Sequence, residues 1–371
     1  MKQLQSMNRL LLGPGPSAVH PDVLKAMATP LVGHLDPYFF EVMNGTREML
    51  RTVFGTKNEL TIPMSGTGSA GMETVFVNLI EPGDKVIVCV NGVFGERMKD
   101  VAERCGASVV EVTAPWGQPI DPDEIRKALE KNGQVKLVAI VQAETSTGVR
   151  QPLKEVSEIV HEHGALFAVD SVTALGGIPV DVDENGIDAC YSGTQKCLSA
   201  PPGLSPVTMS DDAVQAIRKR KTKVQSWYLD LGMIANYWGE DRFYHHTAPI
   251  SMVFALHEAL RILLNEGLEN VYKRHEDNGK LLQQELQSAG FELLAAEGYR
   301  LPQLTAFRLP QGLDDIRLRR ELLNLYGIEV GGGLGPLKGQ IWRVGLMGHS
   351  SNLANVRLFM GALQDILNRN K

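Results

Sequence analysis

Four cysteines in 371 residues form no framework. Cys89 lies in the apolar run 86–90, Cys105 ends a helical stretch, Cys190 sits in another apolar run, and Cys197 follows Lys196. No CxxC or paired-ligand spacing occurs, which argues against a disulfide scaffold or a thiolate zinc site and fits free thiols in a reducing compartment. Histidine clusters are missing as well. His161 and His163 are two apart on an expected helix, so they point in different directions, and no metal site is expected. Excess positive charge is also lacking: a net charge of −6 argues against non-specific nucleic-acid binding, which needs a basic face. The one basic run, Arg218-Lys219-Arg220-Lys221, follows a helical pattern from Asp211 and reads as a solvated helix C-terminus that complements the dipole. The N-terminal apolar run Leu10-Leu11-Leu12 is too short for a signal-peptide core. The final Asn-Lys is no peroxisomal tripeptide. A cytoplasmic protein without membrane contact is the expectation.

What the chain does have is enough length for two lobes and an ordinary soluble composition, 43% apolar and 22% charged. Between residues 60 and 210, short apolar runs alternate with helical patterns. Strands are expected over 60–64, 85–90, 108–113, 137–142, 166–169, 187–192 and 205–209. Helices are expected over 70–80, 97–105, 122–131 and 153–163. Runs continuous in Val, Ile and Leu and separated by helices describe an α/β fold, with a mostly parallel sheet covered on both faces. Beyond about residue 250 the texture changes to long helical patterns over 252–265 and 268–287, then a small α+β unit. The expected plan is an N-terminal segment over 1–20 draped on one or both lobes, a large domain over 21–250, and a smaller C-terminal domain over 251–371.

Ligands of parallel α/β sheets bind beyond the carboxyl ends of the strands, so the polar residues there are the informative ones. Ser65-Gly66-Thr67-Gly68-Ser69-Ala70-Gly71 follows a strand and opens a helix, a cradle for an anion. Its glycines match G-x-G-x-x-G, but the next strand ends Cys89-Val90-Asn91 without the acidic residue that a dinucleotide site needs. Asp170, directly after an apolar strand, is costly to bury without a partner; it is either a turn or helix cap, or the partner of a pyridinium nitrogen. Lys196 follows another buried-looking strand, in Tyr191-Ser192-Gly193-Thr194-Gln195-Lys196. Alone it reads as a surface lysine. Placed 26 residues after Asp170 and downstream of the phosphate loop, it reads as a Schiff-base lysine.

The chain from about residue 11 to 366 resembles the class V, fold-type I pyridoxal-5′-phosphate (PLP) enzymes, specifically the alanine–glyoxylate and serine–pyruvate aminotransferases. Besides the motifs above, the resemblance rests on Leu12-Gly13-Pro14-Gly15-Pro16-Ser17, Glu144-Thr145-Ser146-Thr147-Gly148, Asp170-Ser171-Val172, Tyr244-His245-His246-Thr247, Gly331-Gly332-Gly333-Leu334-Gly335 and Trp342-Arg343-Val344-Gly345-Leu346. It implies a large domain with a seven-stranded-type sheet and a smaller C-terminal α+β domain. It also implies that Lys196 holds PLP and shuttles a proton, that Asp170 pairs with the ring nitrogen, and that Val172 and Phe94 flank the ring. Thr67, Gly68 and Ser69 would hold the phosphate with Gln195 beside them. Thr145 would reach the ring hydroxyl or the substrate, and Arg343 would clamp the substrate carboxylate. Tyr244 and Thr247 would complete the phosphate site of a neighbouring subunit, which implies a homodimer with shared sites.

The reaction so implied is ping-pong transfer of an amino group from alanine or serine to glyoxylate or pyruvate, so the partners are small amino acids and 2-keto acids. Transaminases acting on 3-hydroxykynurenine, phosphoserine or 2-aminoethylphosphonate share the plan. A cysteine desulfurase needs a mobile nucleophilic cysteine, and none follows Cys197. An NAD-dependent dehydrogenase would rest on one glycine motif without its acidic partner, and a non-catalytic PLP-binding protein would be expected to have lost Lys196 or Arg343.

Overall fold

The computed structural model describes residues 7–370. Seven strands form the main sheet: β1 (Leu60–Ser65), β2 (Lys85–Val90), β3 (Ser108–Thr113), β4 (Leu137–Val141), β5 (Leu166–Asp170), β6 (Ala189–Tyr191) and β7 (Leu204–Met209), in the order β1-β7-β6-β5-β4-β2-β3. Every pairing from β6 to β3 is parallel, and β7 runs antiparallel to both neighbours. β4, Leu-Val-Ala-Ile-Val, is buried along its whole length, which is why it shows no polar alternation. Only the edge strand β3 alternates toward solvent. The expected mostly parallel α/β sheet is therefore present, with strand limits shifted by a residue or two.

Two helix starts also move, by two residues and by four. The helix after β1 runs Gly68–Leu79 and the helix after β2 runs Val93–Arg104, so Gly68 and Phe94 belong to first turns rather than to loops. A further helix, for which the sequence analysis has no counterpart, spans Pro37–Phe54, and its punctuation is plain. Asp36 accepts from Tyr38 N, Pro37 opens the first turn, and Gly55 closes it at φ 66°. Its apolar face, including Phe39, Met43 and Leu50, lies against the helix Ile250–Glu266 and joins the core of the main sheet.

A second core lies beside a three-stranded antiparallel sheet of β8 (Leu304–Arg308), β9 (Gly331–Gly332) and β10 (Ile341–Gly345), in the order β8-β10-β9. Helices Leu268–Ser288, Asp315–Tyr326 and Leu353–Arg369 bury Leu282, Leu322 and Phe359 against Phe307 and Trp342. The N-terminal segment ties the two cores together. Leu10–Leu11 pairs in parallel with Ile328–Glu329. Ser17 then donates from its N to Gln195 O (2.8 Å) and from its Oγ to Lys196 O (2.6 Å).

The basic run is only partly the solvated end that its sequence suggested. The helix Asp211–Arg218 stops before Arg220, whose Nη1 turns inward and donates to Asn78 O (2.9 Å) and Ile80 O (2.8 Å). It thus closes the C-terminus of Gly68–Leu79, which has no basic residue in its own last turn. Arg220→Ala is expected to destabilise the fold by about 1–2 kcal/mol in urea unfolding, whereas Lys219→Ala should change stability by less than about 0.5 kcal/mol.

Candidate active site

Sheet register builds the centre of the site. Asp170 ends β5 and stands opposite Tyr191, the last residue of β6. Its carboxylate is 3% exposed. Oδ1 accepts from Val172 N (2.8 Å) and Oδ2 accepts from the Tyr191 hydroxyl (2.9 Å). Burial pushes its pKa up to about 6, against the two hydrogen bonds and the charges of Lys196 and Arg97, which favour the anion. The cap-or-turn reading of Asp170 is thereby answered in part: it does bond a nearby backbone N–H, but inside the core.

Lys196 is not a surface lysine. It is 9% exposed, and its Nζ donates to the carbonyl of Pro14. Burial, with Arg343 next in effect, lowers its pKa to about 8, so a substantial fraction of the amine is neutral near physiological pH. Gly15 closes over it at φ 109°, and a Cβ there would stand 2.6 Å from Nζ. A side chain larger than hydrogen would need both a strained backbone and a displaced lysine.

The glycine loop opens the helix Gly68–Leu79 with Thr67 at its N-cap, and no side chain caps that end. Its free N–H groups are the donors an anion needs. Thr67 and Ser69 are exposed, and Gly68 lies against Val172, whose Cγ2 would be 3.1 Å from a Cβ on the glycine. Gly71 has a packing role: a Cβ there would overlap the Ser205 hydroxyl on β7. Gln195 is half-buried and its Oε1 has no partner.

Arg343, on β10, reaches from the second core into this site. It is 6% exposed, donating from Nε to Gly332 O (2.8 Å) and from Nη1 to Thr145 O (3.1 Å). Nη2 makes no hydrogen bond to the described residues. Burial lowers its pKa to about 10, which leaves it charged at neutral pH. Thr145 itself is 2% exposed. Its neighbour Glu144, to which sequence reasoning gave no role, is buried and organises the wall. Oε1 accepts from Ser146 N (3.0 Å) and Ser146 Oγ (2.6 Å), and Oε2 accepts from Phe94 N (3.2 Å). One carboxylate therefore joins the Thr145 loop to the helix start that carries Phe94.

Tyr244 and Thr247 stand apart. Both are exposed, and neither hydroxyl bonds a described residue of this chain. Their neighbour His246 brings the segment to the phosphate loop through a 2.9 Å bond between Nε2 and Ser65 Oγ. Tyr191 and the Pro14 carbonyl also lacked assigned roles. Tyr191 lay within a motif already singled out for Lys196, but only strand register reveals that it faces Asp170. Among the described residues no group of His, Cys, Asp and Glu could hold a metal ion.

A buried amine, a buried carboxylate, an open helix start and an inward guanidinium thus meet at the carboxyl end of one sheet. Comparison with known proteins gives this arrangement a family. A family model described as aminotransferase class-V matches residues 11–340. The (S)-ureidoglycine–glyoxylate transaminase of Bacillus subtilis is 39% identical, covering 99% of this chain and 92% of the relative. The alanine–glyoxylate aminotransferase of Callithrix jacchus is 40% identical, covering 99% and 89%. The crystal structure of alanine–glyoxylate aminotransferase from Nostoc sp. superposes with a TM-score of 0.97 at 48% identity, covering 99% of this chain and 97% of that one. The chain belongs to the class-V aminotransferases, and its cofactor is pyridoxal 5′-phosphate.

Proposed function

We propose that this aminotransferase moves an amino group from a small amino acid, alanine or serine, to glyoxylate or pyruvate, leaving a 2-keto acid. The observation that carries the reading is Lys196: a buried amine with a lowered pKa, set between a carboxylate and a guanidinium. Glyoxylate as acceptor is supported by relatives from two curated groups, both named for it at about 40% identity over nearly the whole chain. The donor differs between those names, so (S)-ureidoglycine is the second reading. A half-reaction panel of alanine, serine, glycine and ureidoglycine, followed by loss of the visible cofactor band, tests donor choice. With phosphoserine and 3-hydroxykynurenine added to the panel, fastest conversion of either would overturn the proposal.

The residues present fit PLP. The uncapped start of Gly68–Leu79 suits a phosphate, the buried Asp170 suits a protonated ring nitrogen, and the half-buried Gln195 carries an Nε2 donor that could turn to the phosphate. We assign Thr67, Gly68 and Ser69 to the phosphate with Gln195 beside them, Val172 and Phe94 to the two ring faces, and Thr145 to the ring hydroxyl or substrate. When bound, PLP supplies a carbonyl carbon that joins amines and a ring that accepts the electron pair left at Cα. Asp170 holds a proton on the ring nitrogen, which strengthens that sink. Lys196, once its amine is free, takes the proton from Cα and later returns it. Arg343 binds the α-carboxylate through donors that its two carbonyl partners hold in place.

A homodimer completes the proposal. Trp227, Tyr228, Phe243 and Tyr244 are large apolar or aromatic side chains exposed on this chain, a patch that suits a protein partner. Tyr244 and Thr247 would donate to the phosphate of the other subunit. No helix of the described residues is long and apolar enough to cross a membrane, and a cytoplasmic location is proposed.

Three outcomes test this scheme. Lys196→Ala should abolish the visible absorbance near 400 nm that a PLP–lysine bond gives (roughly, for a conjugated imine). Turnover should fall by several orders of magnitude. Arg343→Lys should raise KM for amino and keto acids roughly 10-fold or more, because one ammonium cannot supply a two-donor fork, while cofactor affinity stays unchanged in equilibrium titration. Mixing Lys196→Ala subunits with Tyr244→Phe/Thr247→Ala subunits should restore activity, up to about half of wild type per heterodimer, since one site then carries both defects and the other none. Absence of recovery in heterodimers confirmed by native mass spectrometry would place each site within one chain.

A further inference from the structure

Tyr191 is wholly buried, and its hydroxyl has one hydrogen-bond partner among the described residues, Oδ2 of Asp170 at 2.9 Å. The contact is built into the sheet. Asp170 and Tyr191 are register partners at the ends of adjacent parallel strands, so their side chains leave the same face. The base of the side chain is packed as well. Gly71, in the helix that opens with the phosphate loop, has no Cβ, and one placed there would sit 3.2 Å from the Cβ of Tyr191. The helix can therefore lie on the tyrosine and leave it little freedom. With Val172 N on Oδ1 and Tyr191 on Oδ2, both carboxylate oxygens accept a bond from a fixed donor.

We propose that Tyr191 is a positioning residue for the cofactor: its hydroxyl keeps Asp170 ionised and fixed in orientation, so that Asp170 can hold the proton on the ring nitrogen. This rests on the reading of Asp170 given under the proposed function. The need for such a donor follows from solvation. A carboxylate 3% exposed has little water to stabilise its charge, and two fixed donors replace part of that solvation. Without the phenol, the proton shared between Asp170 and the ring nitrogen would move toward the carboxylate. The ring would then lose the charge that makes it an electron sink. The other charged and titratable groups acting around Asp170 are Lys196 and Arg97, which favour its anion, and Glu144 and Cys190. Of these, Lys196 leaves the balance when its amine is bonded to the cofactor, whereas the neutral donors Tyr191 and Val172 N remain.

Tyr191→Phe keeps the ring and removes the hydroxyl. The first measurement is the affinity of the apoprotein for pyridoxamine 5′-phosphate, which binds without bonding to Lys196, as a function of pH. Affinity should fall as pH drops through the titration of Asp170. In Tyr191→Phe that midpoint should lie higher by roughly one pH unit, since a hydrogen bond to a charged group is lost. The phosphate's own titration is common to both proteins and cancels in the comparison. The second measurement is the half-reaction rate with alanine, using PLP and its deaza analogue, in which carbon replaces the ring nitrogen. The variant should lose roughly 10-fold in kcat with PLP, with KM changed less, and under about 2-fold with the analogue. An unshifted midpoint, or an equal loss with both cofactors, would show that Tyr191 only packs the core. Asp170→Asn separates the two levels of the argument. If it loses most activity while Tyr191→Phe behaves as wild type, this inference alone fails; if Asp170→Asn is itself as active as wild type, the reading of Asp170 fails with it.

Discussion

Asp170 and Lys196 are opposite charges buried in the same site, and much of the surrounding structure offsets that cost. A carboxylate and an ammonium each lose several kcal/mol of hydration on burial. The fold compensates without pressing them into a closed ion pair. Asp170 is held by a backbone N–H and a phenol, and Lys196 by the Pro14 carbonyl. Each pKa moves toward the neutral form, the acid up to about 6 and the amine down to about 8. A salt bridge between them would have locked both groups in their charged forms. Neutral donors and acceptors instead leave neither group tied to the other, as the proposed roles of the amine and the carboxylate require.

That arrangement needs three separate stretches of chain in register. The parallel order of β4, β5 and β6 puts Asp170 beside Tyr191. The turn after β6 places Lys196 under the segment at residues 13–17, which Ser17 pins by two bonds to Gln195 and Lys196. The same segment continues the other way into a strand pair with Ile328–Glu329, so the cover on the lysine is anchored in the second core. Arg343 makes the complementary connection. It rises from β10 in that second core and bonds the Thr145 carbonyl beside the main sheet. The guanidinium of Arg343 and the amine of Lys196 thus come from different cores, joined by a strap and by the Arg343–Thr145 bond.

Glu144 shows how one buried acid can organise a wall of the site. Its two oxygens join Ser146 to Phe94 N, so the aromatic residue and the threonine loop share one support. Burial raises its pKa while the hydrogen bonds from Ser146 and the backbone favour the anion. The proximity of Arg343, whose charge it favours in turn, compensates part of the remaining cost. The phosphate loop relies on no such acid. Glycine at positions 66, 68 and 71 brings backbone close to Ala70, Val172 and Ser205 respectively, and the open helix start provides the positive potential.

Several parts of this protein were determined locally and could be read from the order of residues. The parallel sheet followed from apolar runs too continuous to face water, as in β4. The loop with an open helix start followed from glycines between a strand and a helix. Lys196 and Asp170 followed from polar residues placed directly after buried strands, once the motif order suggested the family. Each of these depends on neighbours within a few residues, where periodicity and turn chemistry act. Other features waited for tertiary structure because their partners are far apart in sequence. Arg220 looked like a solvating charge until the end of Gly68–Leu79, 140 residues earlier, arrived to use it. Helix Pro37–Phe54 was missed despite its Asp-Pro start, since its apolar face has meaning only against Ile250–Glu266. Tyr191 became a partner for Asp170 only when two strands 21 residues apart fell into register. Local patterning decides which elements form, but the distance between remote side chains is decided by packing.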